Sequence, residues 1–134
     1  MKRALLLLAL AVGGCAQPGA PPVCTAPLKP AVAIDLYFGR DKPGGGEVTD
    51  AEWGTFVTEV VTSRFPDGFS VFDSSGQYRE PTGRIVRERS KRLVVIVFDQ
   101  QAHKAKVIEI VEAYKQRFSQ YSVFRVEQPV CAGL

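Results

Sequence analysis

Asp35, Tyr37 and Arg125 are the polar residues whose types and spacing could do chemistry together in this chain. A carboxylate, a phenol and a guanidinium can orient a small organic molecule, and the carboxylate can take a proton from it. Two strands would have to position them. Val32, Ile34, Leu36 and Phe38 alternate with Ala33, Asp35, Tyr37 and Gly39, the period of a half-buried strand, and Ser122 to Gln128 alternates again. If Ile34, Leu36 and Phe124 face the helices, then Asp35, Tyr37, Arg125 and Glu127 share the opposite face. Leu93 to Phe98 is apolar on both sides and would give that face a hydrophobic centre. Such a surface suits a homodimer interface or a ligand pocket, or else a core continued under a neighbouring hairpin.

Other reactive types are less well placed. His103 is the sole histidine, without a serine nucleophile pattern beside it, and reads as a packed structural residue. Gly44 to Gly46 precede a helix start but lack a P-loop lysine, and Glu47, Asp50 and Glu52 would repel phosphate. Arg64, Asp67, Tyr78, Arg79, Arg84, Arg87 and Glu88 read as a solvated charged cluster, with buried salt bridges or an anion site as the other uses. No metal and no cofactor are expected, since neither Cys24 nor Cys131 has a second ligand at metal spacing.

The N-terminus speaks to location. Lys2 and Arg3 precede an apolar run from Ala4 to Val12, then Gly13, Gly14 and Cys15. That order is a secretory signal peptide over residues 1–14, with an apolar part about half the ~20 residues of a membrane span. Two small residues before a cysteine resemble the bacterial lipobox, in which Cys15 receives a diacylglyceryl group and becomes the first residue. Cleavage after Ala16, releasing a soluble periplasmic or secreted protein, is the rival. Residues 15–30 form a tether rich in proline, extending ~25 Å at 3.1 Å per residue if only Ala16 to Val23 is free. A lipidated chain would sit on the cell envelope, at the outer membrane facing the periplasm in a host with two membranes.

Cys24 and Cys131 remain as an even pair in an oxidising compartment, and a disulfide between them is expected. The chain has 134 residues and a formal charge of +3, of which Lys2 and Arg3 supply two. Nucleic acid is therefore not an expected partner. An RNA-recognition module would also need more aromatics than the single Phe98 of Leu93 to Phe98. A hydrophobic share of 46% supports a folded core.

Residues 31–134 divide into strand, helix, strand, strand, helix, strand. Thr49 and Glu52 form a capping box before the helical stripe Trp53, Phe56, Val57, Val60 and Val61. Phe69 to Asp73 is the second strand, and Ser74-Ser75-Gly76 and Pro81-Thr82-Gly83 read as turns. Asp99 caps the second helix, with its stripe at Val107, Ile110, Val111, Tyr114 and Phe118. The predicted fold is α+β, a ferredoxin-like βαββαβ sandwich with antiparallel sheet order 4-1-3-2 and two helices on one face. Strands one and four are then neighbours, which brings Cys24 and Cys131 together.

Several blocks resemble a bacterial family known as domain of unknown function 3574. They are Leu36-Tyr37-Phe38-Gly39, Val48 to Trp53, Arg64 to Phe69, Gly76-Gln77-Tyr78-Arg79, Ser90-Lys91, Ala113 to Phe118 and Pro129-Val130-Cys131. Tyr78 stands where the family more often has tryptophan. The resemblance implies an envelope or secreted protein with no assigned activity. The sequence as a whole points to an envelope lipoprotein that serves as a binding or accessory module. The alternative is a cofactor-free enzyme resembling dimeric ferredoxin-like monooxygenases that act on a small organic ligand. With no catalytic constellation in view, the non-enzymatic reading leads.

Overall fold

Every second residue of Lys29–Gly39 is apolar, and the segment forms β1, with Ile34, Leu36 and Phe38 fully buried. The computed structural model describes residues 22–99 and 101–134. The signal segment, Cys15 and the start of the tether lie outside the described residues.

After β1 the chain loops to the first helix, Asp50–Phe56, which continues through a π-helical stretch, Val57–Val61, and a last turn, Thr62–Arg64. The expected capping box is present. The Glu52 carboxylate accepts from the Thr49 amide at 2.8 Å, and the Thr49 hydroxyl accepts from the Glu52 amide at 3.2 Å. β2, Ser70–Arg79, and β3, Ile85–Val97, form a long hairpin. The second helix, His103–Phe118, leads to β4, Phe124–Ala132. Asp99 accepts from the amides of Gln101 and Ala102 at 2.9 and 3.1 Å, tying the turn that enters the second helix.

The four strands make one open antiparallel sheet in the order β2-β3-β1-β4. Both helices pack on the side carrying Ile34, Leu36, Phe38, Leu93 and Val95. Phe38, Trp53, Phe56, Tyr114 and Phe118 form a connected ring cluster there, with centroids 4.7–6.1 Å apart. Burying each such side chain stabilises the fold by roughly 1.5–3 kcal/mol. The Tyr114 hydroxyl donates to the Gly39 carbonyl at 2.8 Å, and burial pushes its pKa well up.

Two expectations need correction. β2 runs straight through Ser74-Ser75-Gly76, because pairing with Ser90, Arg89 and Glu88 satisfies a backbone that the residue types alone would turn. The reversal comes at Pro81-Thr82-Gly83, where the Glu80 amide donates to Arg84 at 2.9 Å. In addition, Arg125 does not share a face with Asp35 and Tyr37. It lies opposite Leu36 and therefore on the helix side, while Phe124 lies opposite Tyr37. The two faces of β4 are exchanged relative to the expectation, because the register with β1 and not the residue types of β4 sets them.

Cys24 and Cys131 are joined across a sequence separation of 107, with Cα atoms 5.6 Å apart. Pairing of Pro30 with Cys131 carries the two segments together. A cross-link of this span typically contributes ~2–4 kcal/mol by restricting the unfolded chain. Among the described residues, no helix is long and apolar enough to cross a membrane.

Candidate functional site

The face of the sheet away from the helices is the candidate site. Directly paired residues share a face, so the register assembles it from all four strands. Asp35 and Tyr37 meet Val94 and Arg92 of β3 and Val126 and Phe124 of β4. Phe72 and Tyr78 of β2 lie beyond Arg92 and Val86. Phe72, Tyr78, Ile96 and Phe124 are all exposed on it. The hydrophobic centre expected on this face is there, with Val94 and Ile96 at its core.

The candidate residues divide. Asp35 is engaged by Arg92 at 2.5 Å, and the Arg92 guanidinium lies 5.7 Å from the Tyr37 ring centroid and 5.8 Å from that of Phe72. Tyr37 also meets the Phe124 ring at 5.8 Å. Arg125 instead pairs with Glu127 on the other side. His103 is buried, its Nδ1 3.1 Å from the Asp99 carbonyl and its Nε2 3.5 Å from Glu127 without a hydrogen bond. It packs as a structural histidine.

The charged cluster read from the hairpin is dispersed. Arg64 binds Glu109 at 2.8 Å at the far end of the molecule, and Arg84 binds Glu80 at the hairpin tip. Only Tyr78 and Glu88 reach the open face near Tyr37. There they line a cleft of about 740 Å³ together with Gly39, Gly76, Ser90, Tyr121 and Phe124, closed at one side by Asp41, Lys42 and Pro43.

Glu88, which the sequence offers only as one member of a solvated charged cluster, takes a distinct place in the fold. Its carboxylate accepts from the Asp41 amide at 3.2 Å, and burial pushes its pKa up from the usual 4.5. Glycines flank it on both neighbouring strands. A Cβ on Gly39 would stand 2.3 Å from Oε1, so the carboxylate occupies the space that glycine leaves. Gly76, directly opposite on β2, leaves open room within the cleft. A lone glutamate among arginines gives no such signal. Only the glycines of Tyr37-Phe38-Gly39 and Gly76-Gln77-Tyr78, once paired with β3, reveal it. Among the described residues, no group of three His, Cys, Asp or Glu is arranged to hold a metal.

This architecture, an open antiparallel sheet with helices over one side, recurs in solved structures. A phage SAM lyase in complex with S-methyl-5'-thioadenosine superimposes with a TM-score of 0.57 at 18% identity, over 76% of this chain and 90% of that one. CutA from Synechococcus elongatus PCC7942 gives 0.50 at 10% identity, over 79% and 84%. At these identities the likeness is one of fold. No curated protein matches the sequence. Residues 33–134 match the family described as "Protein of unknown function (DUF3574)", and the chain belongs to that family.

Proposed function

We propose that the protein is a small-molecule-binding module of the cell envelope, anchored by a lipid on Cys15, with its ligand site in the cleft beside Glu88. One observation carries the binding role. A half-buried carboxylate, seated on Gly39 and aimed by the Asp41 amide, stands among aromatic rings in an open cleft. The sheet order and single helix-covered side support a ferredoxin-like sandwich, in which the uncovered face is free to bind. The phage enzyme of similar fold, solved with a small molecule, fits this reading. A sheet-to-sheet homodimer through Phe72, Ile96 and Phe124 would cover the same face and could enclose the cleft.

The test is to purify the protein from its own cells and identify co-purifying molecules by mass spectrometry. A Cβ on Gly76 meets no atom within 4 Å, so Gly76→Phe projects a ring toward the cleft from an open position. A bound small organic molecule should appear with the native protein and vanish with the variant. Identical spectra for both would refute the site.

The anchoring arm rests on Gly13-Gly14-Cys15 behind an apolar run. Intact mass should show a lipid-modified Cys15 as the first residue, and Cys15→Ser should leave the membrane fraction without the protein. A mature chain starting at Gln17 without added lipid mass would refute it.

A cofactor-free enzyme is the second reading, favoured by the raised pKa of Glu88, which suits a proton acceptor. Conversion of the co-purified molecule on prolonged incubation, lost in Glu88→Gln, would select it.

A further inference from the structure

We infer that the cleft takes an organic cation carrying an aromatic or aliphatic body, with Glu88 as its counter-charge and the rings of Tyr37, Tyr78, Tyr121 and Phe124 as its walls. The inference rests on reading the cleft as a ligand site and names the chemistry of the occupant.

Charge bookkeeping around the cleft leads to it. Among the described residues, no lysine or arginine comes within ion-pair distance of Glu88. The nearby cations are committed elsewhere: Lys42 to Glu52 at 2.7 Å, Arg92 to Asp35 at 2.5 Å, and Arg89 to Glu47. Arg87 and Arg89 alternate away from Glu88 along β3; they share a shallow neighbouring cleft with it at the strand edge, but neither forms an ion pair with its carboxylate. Among the described residues, the one polar contact to the carboxylate is the Asp41 amide, which leaves most of its acceptor capacity unused.

A partly desolvated carboxylate with no internal partner is best satisfied by a cation from outside. Burial raises the pKa of Glu88, as expected for a charge that lacks a partner. The walls agree with the floor. Electron-rich ring faces attract a cation and also accept its apolar body, and weakly hydrated organic cations gain most from such rings. An anionic ligand would meet Glu88 and Asp41 together, and a neutral one would leave Glu88 unmatched.

The purified protein is titrated with benzyltrimethylammonium, benzyl alcohol and benzoate, following ring-proton shifts by NMR. The three probes share a phenyl body and differ in charge. Benzyltrimethylammonium should bind about tenfold or more tighter than benzyl alcohol, with benzoate weakest. Glu88→Gln should erase that preference while leaving benzyl alcohol unchanged. Its amide spectrum should match the native one, so that loss of fold is not mistaken for loss of charge. Equal binding of cation and alcohol, or a preference that survives Glu88→Gln, overturns the cation inference and leaves the ligand site standing. Failure of all three probes to shift the cleft rings overturns the inference. If Gly76→Phe also leaves the co-purified molecules unchanged, the site itself falls.

Discussion

Lys91 and Glu88 stand three residues apart on β3, one on each side of the sheet, and the two surroundings are opposites. Lys91 is buried, with Asp50 at 2.8 Å and Asp73 at 2.5 Å. Arg40, also buried, adds a 3.3 Å contact to Asp50 and donates to the Val48 carbonyl at 2.8 Å. Hydrogen bonds and charges from these partners raise the Lys91 pKa and lower that of Asp50. Around Lys91 on the helix side, the charges of Lys91, Arg40, Asp50 and Asp73 are answered from within the chain. Glu88, by contrast, is raised by burial and answered by one amide. The difference teaches that the charges around Lys91 serve the fold, tying the first helix to the sheet, whereas on the second side Asp35 is paired with Arg92 and Glu88 has no cation among the described residues.

Charge reversal should break the two regions very unequally. Lys91→Glu would put a third carboxylate between Asp50 and Asp73, where the native cation is buried. A loss of about 2–4 kcal/mol in denaturant unfolding is expected, less than for a fully buried pair because both aspartates face water. Glu88→Lys should cost less than about 1 kcal/mol, since it removes an unmatched charge from an open cleft. Equal losses would abolish the comparison.

The smaller and finer test is pH. Glu88 has its folded pKa above the ordinary 4.5, so on raising the pH the unfolded chain loses this proton first. Its contribution to stability therefore falls as pH rises from 4.5 through the folded value. Asp50 and Glu52 act in the opposite sense. Their folded values are lowered, Glu52 to about 2 by Lys42 and the Thr49 cap, so their contribution is lost as pH falls through those values. The titratable groups around Glu88 are Asp41, Lys42, Tyr37, Tyr78 and Tyr121 in the cleft, with Glu47, Arg87 and Arg89 in the shallow cleft beside it. Thermal unfolding of Glu88→Gln against the native protein should give a difference that grows in favour of the variant above pH 4.5. A difference that shrinks there would mean Glu88 has an internal cation partner after all.

Much of the helix-covered side was legible in residue order. The stripe Val107, Ile110, Tyr114 and Phe118 is buried as its spacing requires, and Thr49 and Glu52 cap as their three-residue separation requires. The open face was legible only in part. Tyr37 and Asp35 were found because β1 alternates cleanly. Phe124 and Val126 of β4 lie opposite Tyr37 and Asp35 on the open face, whereas residue type alone assigns Phe124 to the helix-covered side and Arg125 outward. Phe124 and Val126 face outward because the open face is itself apolar, which alternation within one strand cannot reveal.

Local chemistry thus determined what is local: the cap of the first helix, the helical stripes, the alternation of β1 and the even cysteine pair that export would oxidise. Pairing between distant segments decided the rest. The register of β1 against β4 chose which side Arg125 takes, and ladder hydrogen bonds carried β2 straight through a run of turn residues. The site itself is of this second kind. Gly39 and Glu88 come from different strands, and neither has meaning until β3 lays a carboxylate against the one position on β1 that lacks a Cβ. Side-chain types are written in the sequence, but which of them touch depends on a register set by summed contacts along whole strands.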